Sequence, residues 1–209
     1  MKALILDLDG TLIDSHVAHT KSYVNALKGR DLVIDKTKII NLFGMTAENI
    51  LKTLFPKLTK RDIDQIVNDK RERYLKLIKL IKAQPCADKF IKSMSNKFIL
   101  AIASSSSMIE IKRLLDQFGW TNHFKLLMSS YDVPKPKPAP DLLIAVAKEL
   151  DLKISDCLFV GDSLFDALSA RSAGMTFKGV ETGSFTKKDF LNKGFNSYSN
   201  LCSLLKALT

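Results

Sequence analysis

At 209 residues, with 46% hydrophobic and 26% charged residues, nine Gly and six Pro, the chain has the composition of a soluble globular protein large enough to bury its own core. That excludes a collagen-like, low-complexity or disordered chain. The formal net charge of +10 is uneven, since fourteen Lys or Arg stand against seven Asp or Glu between His16 and Lys79, and no aromatic-interleaved basic stretch accompanies it, so nucleic acid is not the expected partner.

The first apolar run, Lys2 to Leu6, is rich in strand formers and ends in the turn signal Asp-Leu-Asp-Gly. It reads as a buried parallel strand and is too short for a signal peptide or a membrane span, so a cytoplasmic location without membrane attachment is expected. From Ser15 to about Lys82 the apolar residues recur at helical spacing: Val17, Tyr23, Val24 and Leu27 first, then Ile63, Ile66, Val67, Tyr74, Leu77, Ile78 and Ile81. No strand is expected there. After Pro85 the pattern alternates: a helix near Ala87 to Met94, a strand Phe98 to Ala103, a helix Met108 to Phe118 capped by Ser107, and a strand Phe124 to Met128. A helix Asp141 to Leu150, a strand Leu158 to Val160, a helix Phe165 to Ala173 closed by Gly174, and a strand Thr176 to Val180 complete the pattern.

Strands alternating with helices imply an α/β fold with a doubly wound, Rossmann-like parallel sheet. The helical block after the first strand reads as an inserted all-helical cap over residues 15–82, leaving residues 1–14 and 83–209 as the core. Cys86, Cys157 and Cys202 are odd in number and widely spaced, so three reduced thiols are expected. Oligomeric state is not legible.

Four groups of residues fall at strand-to-helix transitions, which an open parallel sheet gathers along one edge. Asp7 and Asp9, two apart on extended chain, point the same way, and two carboxylates so placed need a cation or a shared proton between them. Gly10 lets the backbone bend over a ligand, and Thr11 helps to fix that turn. Ser104 to Ser107 offer hydroxyls and N–H groups near a helix start, where an anion is held. The stretch Val133 to Asp141 is stiffened by prolines around Lys135 and Lys137. Gly161-Asp162-Ser163-Leu164-Phe165-Asp166 places two carboxylates four apart at the start of a helix. Together they supply a nucleophile, an acid–base, an anion cradle and a seat for a divalent cation.

D-L-D-G-T at Asp7 to Thr11, Ser104 after the second core strand, Lys137 in K-P-A-P-D, and G-D-S-x-x-D at Gly161 to Asp166 resemble, in that order, the motifs of the haloacid dehalogenase superfamily in its phosphatase branch. The resemblance covers essentially the whole chain and is to the phosphoglycolate-phosphatase and β-phosphoglucomutase group with its small helical cap. It implies that Asp7 is the nucleophile and Asp9 the general acid–base. It also implies Mg2+ held by Asp7, the Asp9 carbonyl and Asp162, a phosphoryl group held by Ser104, the Ser105 N–H and Lys137, and Asp166 in a supporting position. A small phosphorylated metabolite is then the expected substrate.

Three rivals share or reuse the fold. A sugar phosphomutase is favoured by His19, which matches a histidine of that group, and opposed by Ala47, where those enzymes look to have a phosphate-binding arginine. A dehalogenase would have no need of Asp9. A non-catalytic binding protein would be expected to have lost Asp9 or Lys137, and both are present.

Overall fold

The computed structural model describes residues 1–30 and 32–209. In chain order the first elements are β1 (Ala3–Leu6), β2 (Ile13–Asp14), α1 (His16–Leu27), α2 (Lys36–Ile40), α3 (Ala47–Leu54), α4 (Lys60–Leu77) and β3 (Lys82–Ala83). Then come α5 (Ala87–Ser95), β4 (Ile99–Ser104), α6 (Met108–Gln117), β5 (Leu126–Ser129), α7 (Asp141–Glu149), β6 (Cys157–Gly161), α8 (Leu164–Ala173) and β7 (Thr176–Val180). The chain closes with α9 (Lys187–Asn192), β8 (Ser197–Tyr198) and α10 (Leu201–Leu208).

Six strands form one parallel sheet in the order β5-β4-β1-β6-β7-β8, the doubly wound arrangement expected. Alternate residues of β1 explain why it lies at the centre. Leu4 and Leu6 point into one apolar layer, with Phe90, Leu114 and Leu204, while Ala3 and Ile5 point into the other, with Leu143, Val146 and Phe159. Each such buried side chain contributes roughly 1.5–3 kcal/mol relative to exposure. Because β1 pairs with β4 on one side and β6 on the other, the residues after all three strands emerge together at one edge.

Helices α1 to α4 share an apolar cluster of their own, including Tyr23, Ile39, Phe43, Leu51, Ile63 and Ile66. α4 starts sharply because Thr59 Oγ1 accepts from Asp62 N while Asp62 Oδ2 accepts from Thr59 N, a closed capping box. Its buried stripe is Ile63, Ile66, Val67, Lys70 and Tyr74, so a lysine occupies a position whose spacing calls for an apolar residue.

Three features depart from the sequence reading. The helical run does not reach Lys82: α4 ends at Leu77, a 3₁₀ turn spans Ile78–Leu80, and Lys82 lies in β3, antiparallel to β2. Ile78 and Ile81 are buried because they join the core layer under β1, so their spacing mimics more helix. Second, Cys86 and Cys202 form a disulfide, correcting the expectation of three reduced thiols, while Cys157 is a buried free thiol. The fold brings the start of α5 against α10 across 116 positions, a proximity that Cys spacing does not encode. Third, β8, α9 and α10 extend the core beyond the last strand expected. Among the described residues no helix is long and apolar enough to cross a membrane.

Candidate active site

Asp7 follows β1 directly and is buried, with its N–H bonded to the Val160 carbonyl of β6. Lys137, on the loop before α7, is fully buried, and its ammonium donates to Asp7 Oδ1 at 2.8 Å, to Asp166 Oδ1 at 2.7 Å and to the Ala103 carbonyl at 2.8 Å. All three of its hydrogens are therefore spent inside the protein, so its action on a phosphoryl group is through charge more than a fourth contact. Asp166 is likewise saturated: its Oδ2 accepts from the Ser163 N–H and hydroxyl, closing the capping box of α8. Asp162 accepts from Thr11 Oγ1 at 2.8 Å, which assigns Thr11 to orienting that carboxylate.

Asp7, Asp162 and Asp166 each bring a carboxylate oxygen within 4.8 Å of the others, and all three are buried. The Lys137 ammonium pairs with two of the three, Asp7 and Asp166. Burial, reinforced by Asp166 and Asp9 and opposed by Lys137, pushes the Asp7 carboxyl up to about 7. Burial together with Asp166 and Asp7 raises Asp162 well above the usual carboxylate range. A divalent cation among these oxygens would remove that strain, so the donor set fits a hard, oxygen-ligated metal ion. The backbone makes room for the Asp162 carboxylate: Gly10 has φ +80°, and a Cβ there would stand 2.2 Å from Asp162 Oδ2, while one on Gly183 would stand 1.8 Å from the same atom.

Asp9 faces the other way. Its Oδ1 accepts from His19 Nε2 at 3.0 Å and from the Tyr74 hydroxyl at 3.1 Å, and its Oδ2 from Ser106 Oγ at 2.6 Å. Burial alone would raise its pKa, but His19 and the Ser106 hydroxyl outweigh burial and hold it far below the ordinary range. Burial and the neighbouring Asp9 carboxylate push Tyr74 well above the usual phenol value, keeping it a donor.

Ser104 Oγ is buried and accepts from the Ser106 N–H at 3.1 Å, leaving its own hydrogen free to donate. Ser105 turns its hydroxyl to the Gly44 carbonyl at 2.7 Å, tying the loop before α3 to the sheet edge. With Asp7, Asp9, Ser106, His16 and His19, these serines line a cavity of about 50 Å³, whose far wall is Tyr23, Phe43, Met45, Ala47, Ile50, Val67, Lys70, Arg71, Glu110 and Tyr131.

Asp7, Asp9, Gly10, Thr11, Ser104, Ser105, Lys137, Asp162 and Asp166 come together at this edge and His19 reaches it from α1, whereas Lys135 is exposed. Tyr74, Lys70, Glu110 and Gly183 were not foreseen, and Ser106, expected in an anion cradle, donates instead to Asp9. Ser106 lay in the serine run, and Glu110 in a visible S-x-x-E capping box with Ser107, whereas Tyr74 and Lys70 looked like ordinary positions of a helical stripe.

A family model described as haloacid dehalogenase-like hydrolase matches residues 4–180. Fructose-1-phosphate phosphatase YqaB of Escherichia coli is 27% identical over 175 residues, covering 82% of this chain and 92% of the relative. The β-phosphoglucomutase of Bacillus subtilis is 25% identical over 193 residues, covering 88% of this chain and 84% of the relative. Among solved structures, a hydrolase from Pseudomonas syringae superposes with a TM-score of 0.91 at 26% identity, over 100% of this chain and 98% of that one.

Proposed function

The chain belongs to the haloacid dehalogenase-like hydrolase family, and from that membership and the geometry of its buried aspartates we propose that it is a magnesium-dependent phosphomonoesterase working through an aspartyl-phosphate on Asp7. Asp7, the Asp9 carbonyl and Asp162 would hold Mg2+, with Asp166 acting through Lys137 and Ser163. When bound, the ion supplies positive charge that keeps Asp7 ionised and offsets the phosphoryl oxygens.

Asp9, ionised before substrate arrives, takes up a proton as the dianionic phosphate settles beside it. Asp7 Oδ then attacks phosphorus while Asp9 gives that proton to the leaving oxygen, so the P–O bond to the alcohol breaks as the bond to Asp7 forms. A water then attacks the same phosphorus, Asp9 takes its proton, and phosphate leaves with the Asp7 carboxylate restored. Ser104 and the Ser105 N–H hold the phosphoryl oxygens, and Lys137 offsets their charge. Residues 15–82 act as a cap over this edge, with residues 1–14 and 83–209 as the catalytic core. The cavity lining sets carboxylates, hydroxyls, Lys70 and Arg71 beside Tyr23, Phe43 and Tyr131, which favours a small phosphorylated metabolite.

The observation that carries this reading is the buried Lys137 ammonium, 2.8 Å from Asp7 and 2.7 Å from Asp166, beside the third buried carboxylate, Asp162. Phosphate release from p-nitrophenyl phosphate should depend on added magnesium; a rate equal to the uncatalysed one at any magnesium concentration overturns the proposal. A phosphomutase is the second reading, favoured by His19 against Asp9 at 3.0 Å. Ala47 on the cavity wall opposes it, because its methyl group cannot hold a second phosphate.

A further inference from the structure

The carboxylate of Asp9 is held in a pincer whose parts come from different places. Ser106 belongs to the loop after β4, whereas His19 is on α1 and Tyr74 on α4, both in the helical segment between β2 and β3. Tyr74 is fully buried and fixed on both sides. Its ring stacks on the His19 imidazole with centroids 4.1 Å apart and 12° between planes, and the Lys70 ammonium stands 4.5 Å from its centroid.

Lys70 in turn donates to Glu110 Oε1 at 3.2 Å, and Glu110 Oε2 accepts from the Ser107 N–H and hydroxyl at the start of α6. A continuous chain of contacts therefore runs from the core at Glu110, through Lys70 and Tyr74 on α4, to His19, and back to the core at Asp9. Lys70 and Glu110 are both buried, so the chain closes only where α4 lies against α6.

We propose that Tyr74 is a positioning residue whose hydroxyl sets the orientation of the Asp9 carboxylate. The inference rests on the phosphatase reading, because it concerns how well Asp9 protonates a leaving group. Removing the Tyr74 hydroxyl takes away one of the two donors on Oδ1 while leaving the ring, the stack and the fold in place.

The test is Tyr74→Phe, measured as kcat/KM, which reports steps up to the first irreversible one. An alkyl phosphate such as glycerol phosphate needs a proton on its leaving oxygen far more than p-nitrophenyl phosphate does. We expect kcat/KM on the alkyl phosphate to fall roughly tenfold or more, and at least about fivefold further than on the aryl ester. In an Asp9→Asn background the same change should alter the alkyl-phosphate rate by less than about twofold, since residues acting as a unit do not add. Equal losses on the two substrates, or an undiminished loss in the Asp9→Asn background, overturn the inference, as does no loss at all. A general packing defect would appear in both backgrounds. Failure of the parent reading is seen separately: Asp7→Asn would then keep its activity, whatever Tyr74→Phe does.

Discussion

Lys137 Nζ lies 2.8 Å from Asp7 Oδ1 although 130 positions separate the two residues, and neither has appreciable access to solvent. Such a pair tolerates loss of the carboxylate charge, because Lys137 keeps Asp166 and the Ala103 carbonyl as partners. We therefore expect Asp7→Asn to abolish magnesium-stimulated phosphate release while leaving the unfolding midpoint near that of the wild type, since an amide has the carboxylate's shape without its nucleophilicity. Retained turnover in that variant removes Asp7 as the nucleophile.

Metal affinity should depend on pH around neutrality. The ion-free protein holds Asp7 at about 7, and a bound cation requires the carboxylate, so binding releases a proton below that pH and apparent magnesium affinity rises as pH increases through 7. Stability follows the opposite sign without metal. A carboxyl raised from 3.8 to about 7 by folding contributes stability that is present at low pH and lost as pH rises through 7. Added Mg2+ should restore it. Calorimetry at pH 6 and pH 8, in buffers of different ionisation enthalpy, measures the released proton; identical affinities at both values contradict the proposed site.

Salt should act through one cation of α4 more than through its neighbours. Arg71 lines the cavity, with its guanidinium carbon 5.9 Å from the Tyr131 ring centroid, whereas Arg73 and Lys76 are exposed and do not line it. If α4 attracts a dianionic substrate, kcat/KM should fall with ionic strength while kcat changes little. Neutralising Arg71 alone should then flatten that dependence more than neutralising Arg73 and Lys76 together. Equal slopes in all three proteins would reduce the charge of α4 to a solubilising surface.

The bond between Cys86 and Cys202 spans 116 positions, and a cross-link of that reach typically stabilises by roughly 2–5 kcal/mol. Cys202→Ser, or reduction by a thiol, should therefore lower the unfolding midpoint by several degrees with little effect on KM, since neither cysteine lines the cavity. An unchanged midpoint on reduction would mean that the pair is not oxidised in solution, as a reducing compartment favours.

Much of this was legible from local chemistry. Apolar runs of four to six residues ending in Asp, Ser or Gly gave the central strands, because a strand buried on both faces leaves no polar alternation to obscure it. The aspartates, Ser104 and Lys137 were legible because reactive groups in such sheets collect where strands end. Pairings between distant segments were not. Tyr74 and Lys70 sit on a helix face with Ile63, Ile66 and Val67, and only the seating of α4 against α6 tells a carboxylate-binding hydroxyl and a paired ammonium from core filler. The tail was missed for a different reason: β8 is two residues long, too short to show a period, although Leu201, Leu204 and Leu205 carry helical spacing that marks α10.

The ribbon of β2 and β3 has a topological consequence. Ile13 stands opposite Ala83 and Asp14 opposite Lys82, so the chain leaves the sheet and returns to it through two adjacent strands, like a loop of rope tied at a single cleat. Nothing in the order of the six-stranded sheet depends on what the loop contains, since β1 and β4 are already neighbours. Provided the segment keeps its anchors to the core, Ile78 and Ile81 beneath β1 and Lys70 on Glu110, the rest of its helices can lengthen or shorten while β1 and β4 stay neighbours.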